Sequence, residues 1–342
     1  MDFYIGDQSN ASGIRRMDVN LFSRTPGVLH FSRFYKAYHW YGNSIGLVLK
    51  GRYKKYVMTG EPICISSWLI LLLGKILRKD ISLWSHGFYG KEGRSRKFIK
   101  RLYFSLASRV LLYGNHSRLI MIGLGFHPNK LLVLYNSLFY TRQLSIRESR
   151  LKIPVEPLFS NLCPTVIFVG RLTKDKNVQL LIEALNVSLL KERIRFNILI
   201  VGEGSEKEKI LNLIDQNGLQ LNVKMVGACY DEELLASYFH ASDICVSPGE
   251  VGLTGIHSMS YGTPVITHDD FGAQMPEFEA IQKGINGDFF RRNDADDLSL
   301  VIDRWLERFP QKSEDVRKNC FEVVDHYYNP YKQINTFSFL KE

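Results

Sequence analysis

The sequence predicts an α/β protein with two domains, each built on a parallel sheet covered by helices. Three observations predict this class. The chain has 342 residues, more than one compact core usually holds. Hydrophobic residues make up 45% of it, which is typical of a folded globular protein. Strand-like apolar runs alternate with segments of helical periodicity, and this alternation predicts right-handed βαβ units.

The second half of the sequence shows this alternation most clearly. Short β-branched runs predict five strands, and the spacing of apolar residues between them predicts four helices. The expected strands are residues 166–169, 197–201, 223–226, 244–246 and 264–267, and the expected helices are 178–191, 206–216, 231–240 and 254–261. Ligands of such sheets bind at the carboxyl ends of the strands, so a site is expected in the loops that follow them.

The first half alternates in the same way with weaker periodicity. The expected strands are residues 56–59, 81–85, 110–113 and 131–135, and the expected helices are 66–77, 96–107 and 117–124. Residues 3–6 could form another strand, and most of residues 1–50 are expected to be irregular. The apolar stretch at 63–77 is too short for a membrane span, which needs about 20 residues. It predicts a buried helix, with a helix at a membrane interface as the less favoured alternative.

We therefore expect a short, basic N-terminal domain at residues 1–150 and a C-terminal domain at 151–325. A tail at 326–342 could pack on the N-terminal domain. Residues 138–162 lack lasting periodicity and are expected to be a linker. The N-terminal domain carries 24 Lys and Arg against 7 Asp and Glu, whereas the rest of the chain carries 20 against 28. This asymmetry indicates an anionic partner for the first domain, unless its charge only keeps the surface solvated.

The cysteines and the start of the chain bear on its location. Five cysteines are scattered, and none forms a CxxC pair or a metal-like spacing with histidine. Such a set is typical of reduced thiols in a cytosolic protein. No secretory signal is expected, because polar residues follow Met1 almost at once. The expected location is cytoplasmic, with peripheral attachment to the inner face of the membrane as one possibility.

Two loops at the expected carboxyl edge carry what a diphosphate needs. VIFVGRLTKDK, at 166–176, ends a strand and supplies two cations, and SPGEVGLTGIHSMSYGTPVI, at 247–266, ends a strand and begins a helix. Backbone N–H groups at a helix N-terminus bind anions, and fixed cations neutralise the remaining charge. The residues expected to bind a diphosphate are Arg171, Lys176, Gly252, Leu253 and Thr254.

Four segments in order resemble the C-terminal domain of family 4 retaining glycosyltransferases, which are group 1 glycosyltransferases. They are VGRLTKDKNVQLLIEAL, VGEGSEKEKI, DICVSPGEVGLTGIHSMSYGTPVIT and MPEFEAIQKGINGDFF. The resemblance spans residues 163–305 and extends weakly to 54–138. It implies the GT-B architecture, in which two Rossmann-like domains with parallel sheets face a cleft.

The resemblance also implies an activity. The chain would transfer a hexose, with retention, from a nucleotide-diphosphate sugar to an acceptor hydroxyl in polysaccharide or lipid-linked glycan synthesis. No cofactor is expected, and no metal ion is expected because the cations of Arg171 and Lys176 match the family's pair on the donor diphosphate. A nucleotide sugar and a glycan or lipid-linked acceptor would be the partners.

Further positions match the family's site. Gly202 and Gly227 match the nucleoside region, although close backbone packing explains the glycine of VGEG equally well. His86 ends an expected strand and matches a histidine that faces the donor sugar. The structural alternative for His86 is an ordinary core histidine. We take His86 as a catalytic candidate.

The segment from Gly249 to His257 departs from the family pattern of two glutamates eight positions apart. Gly249 stands where the first acid, near the donor sugar, is expected, and His257 stands at the second, which binds the ribose. Glu250 could replace the first acid by a shift of one residue, so it is the second catalytic candidate. His257 could hydrogen-bond to the ribose, or it could be an ordinary helix histidine with a protein partner.

The altered acids leave a second function open. The chain could be a catalytically impaired relative that binds a nucleotide sugar or glycan as an assembly partner. Its first residues, DFYIG, lack the glycine-rich loop with which relatives usually open, which fits the same alternative. A dinucleotide dehydrogenase is excluded, because no GxGxxG begins a helix with an acid about 20 positions later.

A basic segment lies between Lys91 and Arg101 and contains six cations. Phe98, Leu102 and Leu106 form an apolar stripe along the same expected helix. This pattern is typical of a helix that lies on an anionic membrane surface. A basic, solvated helix whose stripe faces the core is the alternative. Nucleic acid is an unlikely partner, since no recognisable binding module accompanies the charge.

Overall fold

The computed structural model describes residues 2–7, 24–35, 37–149 and 158–340, which fall into two compact units. The units are Met1–Val133 and Leu134–Glu342. The domain boundary expected between residues 150 and 151 lies outside the described residues. Part of the expected linker is a helix, α5 (Tyr140–Ser149), which belongs to the second unit.

The N-terminal unit contains two sheets. The larger is parallel, with its strands in sequence order: β4 (Lys55–Thr59), β5 (Asp80–Ser85), β6 (Arg109–Leu112) and β7 (Leu131–Val133). The smaller contains β1 (Tyr4–Gly6), β2 (Gly27–Tyr35) and β3 (Tyr38–Gly42), with β2 and β3 antiparallel. The expectation of irregular structure was therefore wrong for residues 27–42. No Asn-Gly or Asp-Gly dipeptide marks the turn between β2 and β3, so the hairpin lacks the usual sequence signal.

Four helices complete the N-terminal unit: α1 (Ser44–Leu49), α2 (Ile65–Ile76), α3 (Arg94–Leu106) and α4 (Asn115–Gly123). Successive strands of the parallel sheet are neighbours, and βαβ crossovers are right-handed, so α2, α3 and α4 cover the same face of it. The prediction that α2 is buried holds only for its inner face. Leu71 is 1% exposed, whereas Ile76 on the outer face is 75% exposed.

The C-terminal unit is built on a six-stranded parallel sheet of order β10-β9-β8-β11-β12-β13. The strands are β8 (Thr165–Val169), β9 (Asn197–Val201), β10 (Val223–Met225), β11 (Ile244–Ser247), β12 (Val265–His268) and β13 (Gly287–Phe290). This is the strand order of a doubly wound sheet. The strands stay parallel, but the direction in which the chain adds new strands reverses between β8 and β11. Strand β9 is buried along its whole length, as expected when helices cover both faces.

Helices flank this sheet on both sides. Those described are α6 (Gln179–Leu190), α7 (Lys207–Gln216), α8 (Glu232–Ala241), α9 (Leu253–Ser260), α10 (Ala295–Arg308), α11 (Glu314–Tyr327) and α12 (Pro330–Thr336). The described part of the expected tail is mostly helical, and it contacts the start of its own unit, where the amide of Gln333 donates to the carbonyl of Tyr135. Just before the tail, Asp325 on α11 accepts from Tyr140 and Arg147. Packing of residues 326–342 on the N-terminal domain stays a prediction.

Candidate functional site

The loops that follow β8 and β11 lie against each other at the point where the strand order reverses. The backbone N–H of Gly249 donates to the carbonyl of Lys176 at 3.1 Å. A Cβ atom added at Gly249 would stand 1.9 Å from the carbonyl oxygen of Asp175. Because that distance is far below van der Waals contact, no side chain fits at this position. The acid that the family pattern expects there could not be accommodated without moving one of the loops.

Lys176 reaches from the β8 loop to the beginning of α9. Its Nζ donates a hydrogen bond of 2.5 Å to the backbone carbonyl of Glu250 and lies 3.9 Å from where a Cβ of Gly252 would stand. Burial lowers the pKa of Lys176, and the nearby carboxylate of Asp175 acts in the opposite direction. Arg171 also lowers this pKa by repulsion, so the two cations share one electrostatic environment, and Arg171 itself is exposed.

Helix α9 begins at a residue that favours glycine. Gly252 has a φ of 50°, in the left-handed region, and no side chain caps the helix there among the described residues. The first N–H groups of a helix have no intrahelical partner, and the helix dipole makes this end positive. The ammonium of Lys176 and free amide groups therefore meet at the start of α9, and the exposed guanidinium of Arg171 is near enough to lower the pKa of Lys176. This combination is suited to an anion with several oxygens.

Thr254 has a structural task at this point. Its hydroxyl donates to the carbonyl of Val169 at 3.0 Å and so ties the first turn of α9 to the end of β8. Its backbone N–H is what remains for a ligand. Leu253, which precedes it, is 39% exposed. The structure thus places Lys176, Gly252, Leu253 and Thr254 at the start of α9, with Arg171 within electrostatic reach of Lys176. The diphosphate-binding role of all five residues stays a prediction.

Gln274 holds the β11 loop in place and was not predicted. Its side-chain carbonyl accepts from the N–H of Val251 at 2.9 Å, and its amide donates to the hydroxyl of Thr267 at 2.8 Å. The side chain is buried. Gln274 lies in an irregular stretch of the sequence, where a single amide residue gives no signal of such a task.

Glu250 contributes two different groups. Its backbone carbonyl bonds Lys176, whereas its side chain helps to line a cavity of about 320 Å³ at the carboxyl ends of the strands. The lining of that cavity contains residues of both charges, among them Lys174, Glu206 and Arg292. The cavity belongs to the same edge of the sheet as the loops described above. A role for Glu250 beside the donor sugar stays a prediction.

His257 has a protein partner. Its Nε2 lies 2.8 Å from a carboxylate oxygen of Glu232, which also accepts from the hydroxyl of Tyr261 at 2.6 Å and from the amide of Gln143 at 3.1 Å. Burial alone would raise the pKa of Glu232, but these bonds and the charge of His257 lower it to about 2. The structure thus shows the alternative given for His257, an ordinary helix histidine with a protein partner. Ribose binding by His257 stays a prediction.

Gly202 and Gly227, which are predicted to border the nucleoside, both have structural roles in the backbone. A Cβ at Gly202 would lie 1.9 Å from the carbonyl oxygen of Gly170, so the β9 and β8 loops approach closely only because no side chain intervenes. The N–H of Gly202 donates to the carbonyl of Gly227 at 2.8 Å. Gly227 has a φ of 76°, which favours glycine. A nucleoside role for either glycine stays a prediction.

Glu277 is a second residue that sequence reasoning missed. It is 2% exposed, and one of its oxygens accepts from the amide of Asn136 at 2.9 Å. Its other oxygen has no hydrogen-bond partner within the described residues. Burial raises the pKa of this carboxyl, and the bond from Asn136 opposes that shift. A buried, half-satisfied carboxylate is costly, so the fold keeps it at some expense in stability.

His86 lies in the N-terminal unit, directly after β5. Its ring is 4.5 Å from the ring of Tyr113, and its buried Nδ1 has no partner within the described ranges. Burial, followed by the charge of Lys100, lowers the pKa of this histidine, so it is neutral at neutral pH. Its catalytic role stays a prediction.

The described residues contain no group of three or more His, Cys, Asp or Glu side chains that could hold a metal ion. Within the same residues, every helix is too short or too polar to cross a lipid bilayer. The expectations of a reaction without metal and of a cytoplasmic location remain predictions.

Residues 152–322 match the family model described as "Glycosyl transferases group 1". An uncharacterized glycosyltransferase of Methanocaldococcus jannaschii is 28% identical over 165 residues, which are 47% of this chain and 40% of that protein. Glycogen synthase 2 of Nitrosococcus oceani is 29% identical over 160 residues, covering 44% of this chain and 32% of the synthase. The chain therefore spans two fifths or less of the length of these relatives.

Solved structures share the fold over most of the chain. The apo form of WaaB, a lipopolysaccharide outer core galactosyltransferase, aligns with a TM-score of 0.66 and 17% identity, over 88% of this chain and 79% of WaaB. HepE of Anabaena in complex with UDP aligns with a TM-score of 0.66 and 18% identity, over 93% of this chain and 86% of HepE. The predicted α/β class, with two Rossmann-like units and parallel sheets as in GT-B proteins, is confirmed.

Proposed function

The chain belongs to the glycosyl transferases group 1 family, and on that premise we propose that it moves a sugar from a nucleotide-diphosphate sugar to an acceptor hydroxyl. The complexes of HepE with UDP, with UDP and glucose and with UDP-glucose support a uridine nucleotide as the donor's leaving group. The likeness to WaaB supports a glycan acceptor. We include in the proposal a hexose as the transferred sugar, transfer with retention, and an acceptor that is a polysaccharide or lipid-linked glycan precursor.

One observation carries this proposal: the ammonium of Lys176 lies at the uncapped beginning of α9. When the bond from the sugar to the diphosphate breaks, negative charge develops on the departing phosphate. Donors that already point at that position stabilise the charge without having to reorganise. Lys176, Arg171 and the first amides of α9 would do this together. Fixed cations could take the place of a metal ion, which is why the proposed reaction needs none.

The other predicted residues receive proposed roles around this centre. Glu250 and His86 would orient the donor sugar, and the leaving phosphate would take the acceptor's proton. His257, Gly202 and Gly227 would border the nucleoside. His257 can do so only with the ring atoms that its bond to Glu232 leaves available.

The impaired assembly partner remains the alternative, and one contact favours it. A side chain cannot enter at Gly249 while Asp175 holds its present position, so the first acid of the family pattern has no direct equivalent. In that case the anion site would bind a nucleotide sugar without breaking it.

A donor panel separates the two functions. The full chain is incubated with UDP, GDP, ADP and dTDP sugars, each with a glycan acceptor and with or without a chelator, and the released nucleoside diphosphate is measured. We expect release from one donor, at least a hundredfold reduced in Lys176→Ala, because one preorganised donor of this kind contributes about 3 kcal/mol to the barrier. Lys224→Ala, which changes an exposed lysine on β10, is the matched control.

The outcomes are distinct. Calorimetric binding of a nucleotide sugar with no release from any donor would establish the assembly partner instead. Equal activity of Lys176→Ala and Lys224→Ala would remove Lys176 from the mechanism. The anomeric configuration of the product, read by NMR, tests retention.

A further inference from the structure

The outer face of α2 is apolar and exposed. Leu69, Leu72 and Ile76 recur at helical spacing and are 40%, 44% and 75% exposed. A helix on the surface of a globular protein usually directs polar side chains outward. An aliphatic outer face on a solvent-facing helix therefore marks a surface that contacts another apolar medium.

The outer face of α3 is apolar as well. Phe98 is 69% exposed, and Ile99 and Leu102 are each 49% exposed. The helix buries a different pair, Tyr103 and Phe104, which are fully covered. The alternative in which the stripe faces the core is therefore wrong for Phe98 and Leu102, whereas Leu106 packs partly against the core.

The two helices pack directly against each other. The ring of Trp68 on α2 lies 4.9 Å from that of Tyr103 on α3, and the hydroxyl of Tyr103 is 2.8 Å from that of Ser67. Since both helices cover the same face of the parallel sheet, their outer faces belong to one layer. The six apolar residues thus lie on one surface rather than on opposite sides of the unit.

Cations predominate along these two helices, although the exposed Glu61 lies shortly before α2. Exposed cations accompany the apolar residues on both helices: Lys75, Arg78, Arg94, Arg96 and Arg101. The sequence has no Asp or Glu between Gly93 and Arg147, and none between residues 62 and 79. The carboxylate of Glu92, just before α3, accepts hydrogen bonds from the ammonium of Lys100 at 2.7 Å and from the backbone N–H of Tyr89 at 2.9 Å.

We propose that α2 and α3 together form a docking surface for an anionic lipid bilayer. We call it the docking surface, defined by Leu69, Leu72, Ile76, Phe98, Ile99 and Leu102. These side chains would enter the boundary between headgroups and acyl chains, while the surrounding lysines and arginines contact lipid phosphates. The inference goes beyond sugar transfer and adds α2 to the helix that the sequence had indicated. It stands whether or not the chain transfers a sugar.

Charge distinguishes a bilayer from a second copy of the chain. A two-fold interface through this surface would place the same cations opposite one another, and like charges in contact are unfavourable. An anionic bilayer complements both features at once, because it offers phosphates at the height of the cations and acyl chains below them.

The test measures co-sedimentation of the full chain with vesicles of phosphatidylcholine alone or mixed with phosphatidylglycerol. We expect binding to the mixed vesicles only, weaker at high salt because the attraction to the headgroups is screened. Ile76→Glu on α2 and Phe98→Glu on α3 should each weaken binding at least tenfold. Each variant replaces an apolar side chain that would be buried in the bilayer by a negative charge, which the anionic headgroups repel. Replacing Arg94 or Arg101 by Gln should weaken it about fivefold each.

Leu221→Glu is the matched control, because Leu221 is 86% exposed and lies in the other unit. It should bind as the parent does. The proposal is overturned if the parent does not bind anionic vesicles, or if Ile76→Glu and Phe98→Glu bind like the control. Vesicle-free self-association that both variants abolish would assign the surface to a second copy instead. Nucleoside diphosphate release measured without lipid tests the proposed sugar transfer separately. Failure of the membrane-docking proposal therefore does not imply failure of the proposed enzyme activity, or the reverse.

Discussion

The ammonium of Lys176 donates a hydrogen bond of 2.5 Å to the backbone carbonyl of Glu250, across two loops that are 74 positions apart in the chain. This bond holds a cation at the beginning of α9 before any ligand arrives. It also makes the site sensitive to the protonation of one buried amine.

Nucleotide affinity should therefore fall at alkaline pH. Burial lowers the pKa of Lys176 from 10.5, so the amine loses its proton at a lower pH than an exposed lysine does. Calorimetric titration with UDP should show a dissociation constant that rises between neutral pH and pH 10.5. In Lys176→Arg the side chain stays charged, so binding should depend less on pH even if it is weaker at neutrality. Parallel pH profiles for the two proteins would contradict this assignment.

Gly249→Ala should destabilise the protein and weaken nucleotide binding. The added methyl would meet the carbonyl of Asp175 at 1.9 Å and force the two loops apart. We expect a loss of about 2–4 kcal/mol in the free energy of unfolding, measured with denaturant. Gly46→Ala is the control, because nothing lies within 4 Å of its Cβ and alanine favours the helix α1. If both variants unfold at the same denaturant concentration, the close approach at Gly249 does not constrain the loops.

Glu232→Gln should remove a pH-dependent contribution to stability. The folded pKa of Glu232 is about 2 and its ordinary value is 4.5, so the stabilisation is complete above pH 4.5 and disappears as the pH falls towards 2. At neutral pH we expect a loss of about 2 kcal/mol, less than the full shift implies because the carboxylate is partly solvated. Unfolding curves of the parent and the variant should converge at acid pH. A constant difference between them would indicate a lost contact of another kind.

Lys312→Met should flatten the stability profile between neutral and alkaline pH. Lys312 is buried, and its ammonium donates to the carbonyls of Phe239 and His240 and to the hydroxyl of Thr263. Burial, together with repulsion from Arg317, lowers its pKa to about 7. Between pH 7 and 10.5 the unfolded chain holds the extra proton, so the parent should gain stability over the variant as pH rises, by up to about 1.4 kcal/mol per pH unit. Equal pH slopes would show that the amine titrates normally.

Local patterns in the sequence predicted five of the six strands of the C-terminal sheet, all but β13, and the loops after β8 and β11. Arg171 and Lys176 lie in the loop after β8, and Thr254 lies in the first turn of α9 after β11, so their placement at one edge follows from parallel pairing. The bond between Asn136 and Glu277 joins residues 141 positions apart, and no local pattern reports it. The hydrogen bonds by which Gln274 holds the β11 loop were missed for the same reason.

The N-terminal unit was harder to predict because its signals depend on neighbours. The sequence of α2 is apolar on nearly every side, which indicated burial, but the exposure of Ile76 depends on where α3 and the sheet lie. The pairing of β2 with β3 likewise depends on cross-strand contacts such as that between Phe31 and Tyr41, whose rings are 5.7 Å apart.

The ion pair between Arg147 and Asp325 joins the first helix of the C-terminal unit to one near its end, 178 positions later. During translation, α5 leaves the ribosome long before its partner has been made. The N-terminal unit can complete its parallel sheet before α5 finds its partner on α11, because every strand of that sheet has already emerged from the ribosome. The pair therefore imposes a sequence of events on biogenesis, in which the C-terminal unit reaches its final packing only after the ribosome has synthesised α11.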